Sequence, residues 1–259
     1  VNTESITLAG LAAGYLLMLI PLGLMLWLRV RLIGKTAAAL LRMTVQLLFV
    51  GLYLQVVFEA QSWWLTWLWV LVMVTVADFS IIRSSDLRLK AFFPVLFLPL
   101  LAGAAVPLIF FLTVILSEPA LMDARYVIPI GGMILGNCLR ANVIGIGGFY
   151  RSVKDNRKAY LLSLSQGAGV WEAVRPYFRN AFRVAILPTI TTMSTIGLVS
   201  LPGMMTGVIL GGSDPVTAIK YQIAIMIAIF TGTCITIVLA VVMSVRRVFS
   251  DYGLPEQQG

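Results

Sequence analysis

Residues 198–222, LVSLPGMMTGVILGGSDPVTAIKYQ, break an apolar run at Pro202-Gly203, set Met204 and Met205 behind the break, and stop at Gly211-Gly212-Ser213-Asp214-Pro215. A proline removes a backbone donor, and carbonyls freed at membrane depth are tolerated only inside protein or beside water. A helix carrying Pro188 and Pro202 therefore belongs in the interior, either as a kinked packing helix or as the lining of a transport path. Thr189, Thr191, Thr192, Ser194, Thr195 and Ser200 add hydroxyls to the same segment. Gly203, Gly207 and Gly211 recur every four residues, which predicts a smooth seam for a neighbouring helix. Thioethers fill irregular space in most cores and can also contact soft metal ions, so Met204 and Met205 carry both readings. Asp214 and Pro215 suit an N-cap and the first position of the next helix.

A second polar cluster lies in YVIPIGGMILGNCLRANVIGIGGFY, residues 126–150. Gly132, Gly136 and Arg140 are four apart, and Met133, Asn137, Arg140 and Ile144 follow 3/4 spacing on an overlapping face. A charged side chain inside a span must meet a partner or a wet cavity, so Arg140 and Asn137 join Pro202, Gly203, Met204 and Met205 as candidate pathway residues. Gln46, Asp78 and Asn142 are further polar residues expected to be buried. Asp78, near the end of its span, is expected to pair with Arg83 or another basic residue.

The elements that position these residues follow from composition. Of 259 residues, 59% are hydrophobic and 12% charged, and the mean hydropathy is +0.95. Soluble domains have about half their residues apolar and about a quarter charged, so this chain is read as an integral membrane protein. A span needs about 20 apolar residues, and seven fit, at roughly 5–28, 36–58, 63–82, 92–116, 125–149, 183–210 and 217–244. The expectation is an all-α polytopic membrane protein with about seven transmembrane helices, forming a single permease domain over 1–259. The first apolar stretch is too long for a signal-peptide core and is read as a retained helix.

Lys and Arg number 19 against 11 acidic residues. Their placement, rather than nucleic-acid binding, accounts for the excess. Arg29, Arg31, Lys35 and Arg42 follow the first span; Arg83, Arg88 and Lys90 the third; Arg151, Lys154, Arg157, Lys158, Arg175, Arg179 and Arg183 the fifth; Arg246 and Arg247 the last. The alternate loops carry Glu59, Glu118, Asp123 and Asp214. The positive-inside rule then puts the N-terminus outside and the C-terminus in the cytoplasm.

Several chemistries find no support. Cys138 and Cys234 sit in separate spans, histidine is absent, and no metal-ligand spacing occurs. Gly34-Lys35-Thr36 imitates the end of a phosphate-binding loop, but Arg29 stands where the motif needs glycine. Nor do paired carboxylates or a Ser-Lys pair recur at helical spacing, so enzyme chemistry is not expected. A retinal receptor would need a mid-membrane lysine on the last helix, whereas Lys220 lies at its outer edge.

The one sizeable loop, residues 150–182, carries apolar positions at helical spacing: Leu161, Leu162, Leu164 and Ala168, then Val170, Trp171, Val174 and Phe178. Gly167 and Gly169 interrupt them, which predicts two short amphipathic helices joined by a turn. Such helices either lie on anionic lipid, with Trp171 and Tyr177 at headgroup depth, or dock a cytoplasmic partner. Ser163, Ser165 and Glu172 suit a protein groove better than lipid.

VIPIGGMILGN (127–137), SLSQGA (163–168) and ILPTITTMSTIGLVSLPGMMTGVILGGSDPVTAIKYQI (186–223) together resemble the FetB-type permeases. These are membrane subunits of ABC transporters implicated in bacterial iron export, with plant relatives linked to aluminium tolerance. Before residue 120 the likeness rests on span pattern, with Arg42 and Gln46 in LRMTVQLLFVGL a local echo. Gly167-Ala168 followed by a helix and Leu187-Pro188 is distantly and partially similar to the cytoplasmic signature of ABC import permeases. The acidic-Ala-Ala opening of that signature is missing, so direction of transport does not follow from it.

The resemblance implies a multi-pass permease of the bacterial inner membrane. ATP and Mg would be bound by a separate ATPase subunit, with no cofactor in this chain. That ATPase would dock on the cytoplasmic coupling loop 150–182 through Ser165, Gly167, Ala168, Trp171 and Glu172. The chain is about half of a two-domain permease, which makes a homodimer the economical assembly. An ATP-independent channel or secondary transporter stays open as an alternative. Iron is carried by the resemblance alone, and the residues leave a lipid-like or sugar-nucleotide cargo open.

Overall fold

The structure, a computed structural model, describes residues 7–60, 62–85, 87–116 and 120–248. Glu118 and both chain ends lie outside the described residues. The contacts divide the chain into two compact units, one holding residues up to 60 together with 210–212, the other holding 61–209 and 213 onward.

In the first unit, α1 (Leu8–Leu16), α2 (Leu19–Trp27) and α3 (Ile33–Ala60) follow one another. The expected span at 5–28 pauses at Leu17-Met18, whose N–H groups bond back to Gly14 and Tyr15. Between α2 and α3, Arg29 adopts a left-handed backbone at φ 55°. Leu41, Leu47, Leu48 and Trp27 are exposed, as suits helices solvated by lipid rather than water. Gln46 is also exposed, which corrects its expected burial: of the residues of α3 only Val57 is buried. Gly34-Lys35-Thr36 is the helical first turn of α3, with no loop to cradle a phosphate.

The second unit comprises α4 (Trp63–Ser84), α5 (Leu89–Phe110, continued by a π-helical turn over Phe111–Ile115), α6 (Ala124–Asp155), α7 (Arg157–Ser165), α8 (Val170–Thr195), α9 (Gly203–Leu210) and α10 (Pro215–Val248). Among the described residues of the chain, six helical segments are long and apolar enough to cross a membrane. The expected span at 183–210 is not one helix. Its first part continues α8, which begins in the loop, and its second part is the short α9. Asp214 caps α10 as anticipated, accepting the Thr217 N–H at 3.0 Å, and Pro215 opens the helix.

Packing centres on a crossing of α5, α6 and α10. Pro107 has no N–H, so the Gly103 carbonyl one turn earlier loses its helical partner. That carbonyl approaches Gly232 so closely that a methyl on Gly232 would fall on the oxygen, and a methyl on Gly103 would lie 2.7 Å from Thr236 Cβ. Asn142 of α6 donates to Thr236 Oγ1 at 3.0 Å and to its own Cys138 carbonyl at 2.8 Å. The expected burial of Asn142 is met, and it ties α6 to α10 at the level where Gly103 of α5 meets Thr236. The small-residue seam thus forms at Gly103 and Gly232; a side chain on Gly203 or Gly207 would meet no atom within 4 Å.

At one end of this unit Phe92 and Tyr150 pack edge to face at 5.3 Å, and Ser85 lies beside Gly147. At the other, Phe111 and Tyr221 are 6.4 Å apart. Arg83, Arg88, Lys90, Arg151, Lys154, Arg246 and Arg247 belong to the first end, which also carries α7. Asp78 is fully buried in α4, with neither carboxylate oxygen hydrogen-bonded to a described residue. The expected pairing with Arg83 is therefore corrected: Arg83 is exposed, while Asp78 turns into the core.

Two outcomes follow from this packing. Gly232→Ala should lower the thermal midpoint of the detergent-purified protein by the equivalent of about 1–3 kcal/mol, because the backbones must separate. Asp78→Asn should leave the midpoint within a few degrees. Loss of a buried ion pair would instead cost about 3–5 kcal/mol, so a fall of that size would reveal a cationic partner.

Candidate functional site

The α8 helix ends because Gly197 turns the backbone to φ 87°, a region costly for any residue with a Cβ. The Gly197 N–H then donates to the Ser200 carbonyl at 2.9 Å, closing a short turn, while the Val199 N–H returns to Thr195 at 3.0 Å. Pro202 ends the turn, and its carbonyl accepts the first ladder bond of α9, from Thr206 N–H at 3.0 Å. The break expected at Pro202-Gly203 is thus a complete interruption over 196–202, set by Gly197; the Pro-Gly pair starts the next helix. Hydroxyls in α8 satisfy their own backbone, with Thr191, Thr192, Ser194 and Thr195 bonding carbonyls one turn back.

A cavity of about 470 Å³ opens between this interruption, α6 and α10. Asn137, Arg140, Pro202, Gly203 and Met204 all line it, so five of the six candidate pathway residues meet. Met205 does not reach it, because successive helical residues point about 100° apart. The 3/4 face of α6 is realised: Met133, Asn137, Arg140 and Ile144 lie on the wall. Gly132 instead faces Met73 of α4, at a distance where an added methyl would be 3.2 Å from Met73 Cε. Asn137 donates to the Met133 carbonyl at 2.8 Å, which fixes its amide and leaves the amide oxygen free to accept.

The α8 wall supplies Pro188, Thr189 and Thr192, and the α10 wall supplies Gln222 and Met226. The last two had no assignment from sequence. Gln222 was nonetheless conspicuous as an amide within an apolar span, the kind of residue that membrane burial makes costly. Close packing of α6 on α8 holds these walls: a methyl on Gly145 would stand 3.2 Å from Ala185 Cβ.

The electrostatics of the cavity are one-sided. Its lining contains a single formal charge, Arg140, and no carboxylate, imidazole or thiol. Among the described residues, no group of three or more His, Cys, Asp or Glu side chains comes together anywhere in the chain. A divalent cation about 6 Å from a guanidinium, at an effective permittivity of about 20, is repelled by about 5 kcal/mol. Three thioethers, from Met133, Met204 and Met226, line the same space.

The second candidate region is the turn between α7 and α8. Gly167 sits at φ 91°, its N–H bonds the Leu164 carbonyl at 3.0 Å, and the Ala168 N–H bonds Ser163 at 3.1 Å. These paired bonds cap the end of α7. Glu172 accepts the Gly169 N–H at 3.1 Å, closing the start of α8. Leu161, Leu164, Val170 and Phe178 pack on the core, while Leu162 and Trp171 remain exposed. Ser165 and Gly167 are exposed and Ala168 half-buried. Of the two short helices expected here, α7 matches; the second is the first third of the 26-residue α8, and α6 runs on to Asp155. Beside α8, Trp171, Glu172, Arg175, Phe178, Arg179 and Arg183 line a wide groove that reaches Val238 of α10.

Apolar spanning helices, an interrupted helix and a cavity between helices define an all-α polytopic membrane protein. The family model described as "Uncharacterised protein family (UPF0014)" matches residues 8–249, and the chain belongs to that family. It is 32% identical over 231 residues to "UPF0014 membrane protein slr1647" of Synechocystis sp., covering 89% of each chain. With "Probable iron export permease protein FetB" of Escherichia coli it shares 33% identity over 210 residues, 81% of this chain and 80% of that one. "Protein ALUMINUM SENSITIVE 3" of Arabidopsis thaliana is 31% identical over 194 residues, covering 74% and 69%. No solved structure matches the chain.

The origin of the interruption is open to direct measurement. Gly197→Ala should destabilise the purified protein by about 1–2 kcal/mol in thermal or denaturant melts. Gly203→Ala, facing open space, should leave the melt unchanged.

Proposed function

We propose that this chain is the membrane-spanning permease subunit of an ABC transporter, exporting iron or another metal ion with energy from a separate ATPase. The observation that carries the reading is the continuity of α8. One helix of 26 residues, about 39 Å long at 1.5 Å per residue, leads from the capped turn at Gly167-Ala168 to Pro188, Thr189 and Thr192 on the cavity wall. A displacement at the turn is delivered to the cavity because a helix is stiff along its axis. The name of the Escherichia coli relative supports a permease and supplies the metal.

In this mechanism ATP and Mg act on the partner chain. Closure of the ATPase pushes the turn formed by Ser165, Gly167, Ala168, Trp171 and Glu172. Trp171 and Leu162 offer exposed apolar surface for that contact, and Glu172 keeps the start of α8 wound. The wall of α8 shifts against α6, and the interruption at 196–202 lets the cavity change the side to which it opens. Two copies of the chain complete the pathway. The basic end, with α7, faces the cytoplasm of a bacterial cell, and the N-terminus lies outside.

Ala168→Asp separates this reading from a channel or secondary transporter. The variant should fold and enter the membrane, since six apolar helical segments hold it there, yet lose its ATPase on copurification, because a carboxylate buried without a partner in an interface costs several kcal/mol. Retention of the ATPase at normal stoichiometry would overturn the docking assignment. Transport without any copurifying ATPase would favour the ATP-independent alternative.

A further inference from the structure

We propose that the cavity between α6, α8 and α10 binds an anionic oxygen-donor group, a carboxylate or phosphate, so that a metal cargo crosses as an anionic chelate and not as a bare cation. The proposal rests on reading this cavity as the transport path and names the chemical class of what enters it.

Charge and size carry the argument. The lining holds one guanidinium, exposed to the cavity, and no carboxylate to offset it. Hard metal ions are held by carboxylates, carbonyls and water, and borderline ones by imidazole or thiolate. This wall offers a bare ion neutral oxygens and thioethers under a repelling field. An intramembrane arginine is costly to keep, and an anion in the cavity would offset its charge. A guanidinium also presents several donors in a fork that matches carboxylate and phosphate oxygens, which a neutral cargo would not use.

At about 470 Å³ the space lies in the about 300–1,000 Å³ range of small-molecule sites. An ion site is instead a closed shell of ligands at about 2.0–2.6 Å. Gln222, buried in the α10 wall, adds amide donors to the same space. The leading N–H groups of α9, ahead of its first ladder bond, lie at Gly203 and Met204 on the rim and agree in sign with Arg140. Met133, Met204 and Met226 are the one feature that would suit a bare cation, and then only a soft monovalent one such as Cu(I).

Equilibrium binding to the full chain in phosphatidylcholine nanodiscs, without ATPase, tests this independently of energy coupling. The probes are citrate, Fe(III)–citrate, inorganic phosphate, Fe(II) kept reduced, and Cu(I). Saturable binding of citrate or phosphate alone would identify a free anion as the species recognised; binding of Fe(III)–citrate without citrate alone would identify the chelate. Either supports the proposal if Arg140→Gln weakens it at least tenfold and Arg140→Lys retains more affinity than Arg140→Gln. Thr189→Glu, which places a carboxylate on the α8 wall, should also abolish anion binding. Its unchanged elution and melt would show that the fold persists. Saturable binding of Fe(II) or Cu(I) alone that survives or tightens in Arg140→Gln would overturn the proposal, as would no binding of citrate, Fe(III)–citrate or phosphate. If anion binding fails while Ala168→Asp still releases the ATPase, the anion proposal falls and the permease reading stands.

Discussion

The Gly103 carbonyl, released from its helix by Pro107 and laid against Gly232, is the contact on which the larger unit depends. In lipid an unpaired carbonyl has no water to turn to. Here it is covered by backbone, because neither glycine has a side chain to hold the helices apart. Asn142 adds a directional bond from α6 to Thr236 at the same level. With α5, α6 and α10 fixed there, the opposite faces of α6 and α10 stand apart far enough for α8 to close a cavity without filling it.

The same constraint explains why the chain can interrupt a helix at 196–202. Backbone outside a helix is tolerated at membrane depth where protein or a wet cavity supplies partners. Ile196, Ser200, Leu201 and Pro202 lie on the cavity lining, and the turn satisfies part of its own backbone through the Gly197 to Ser200 bond. A break in such a place gives the wall freedom to move that a continuous helix would lack. The hydroxyls of Thr191, Thr192, Ser194 and Thr195 are bonded to carbonyls of their own helix and so offer no fixed ligand set.

Two polar residues inside the membrane are handled in opposite ways. Arg140 opens onto the cavity, where water or cargo can solvate it. Asp78 is sealed in the core of α4 with no hydrogen-bond partner among the described residues. A pairing of the two kinds of charge would have made both structural. Their separation leaves the cavity lining with a single sign of charge.

Much of this was legible in the sequence, because membrane solvent imposes strong local rules. Apolar run length marked the long helices α3, α4, α5, α6 and α10, though not the split of 183–210 into α8 and α9, and Asp214-Pro215 marked the start of α10. The 3/4 pattern of Met133, Asn137, Arg140 and Ile144 gave one wall of the cavity, since helical geometry alone decides which residues share a face. Tertiary structure decided what depends on a second helix. It placed the tight seam at Gly103 and Gly232 and left Gly203 and Gly207 open, because four-residue glycine spacing marks a smooth face without saying what meets it. It sent Asp78 inward and Gln46 outward, since an isolated polar residue carries no record of which side of its helix is covered. It moved the helix end to Gly197, where the chain needs a left-handed turn, and added Gln222 and Met226 from α10, which share the cavity only because the glycine crossing sets the angle of that helix against α6.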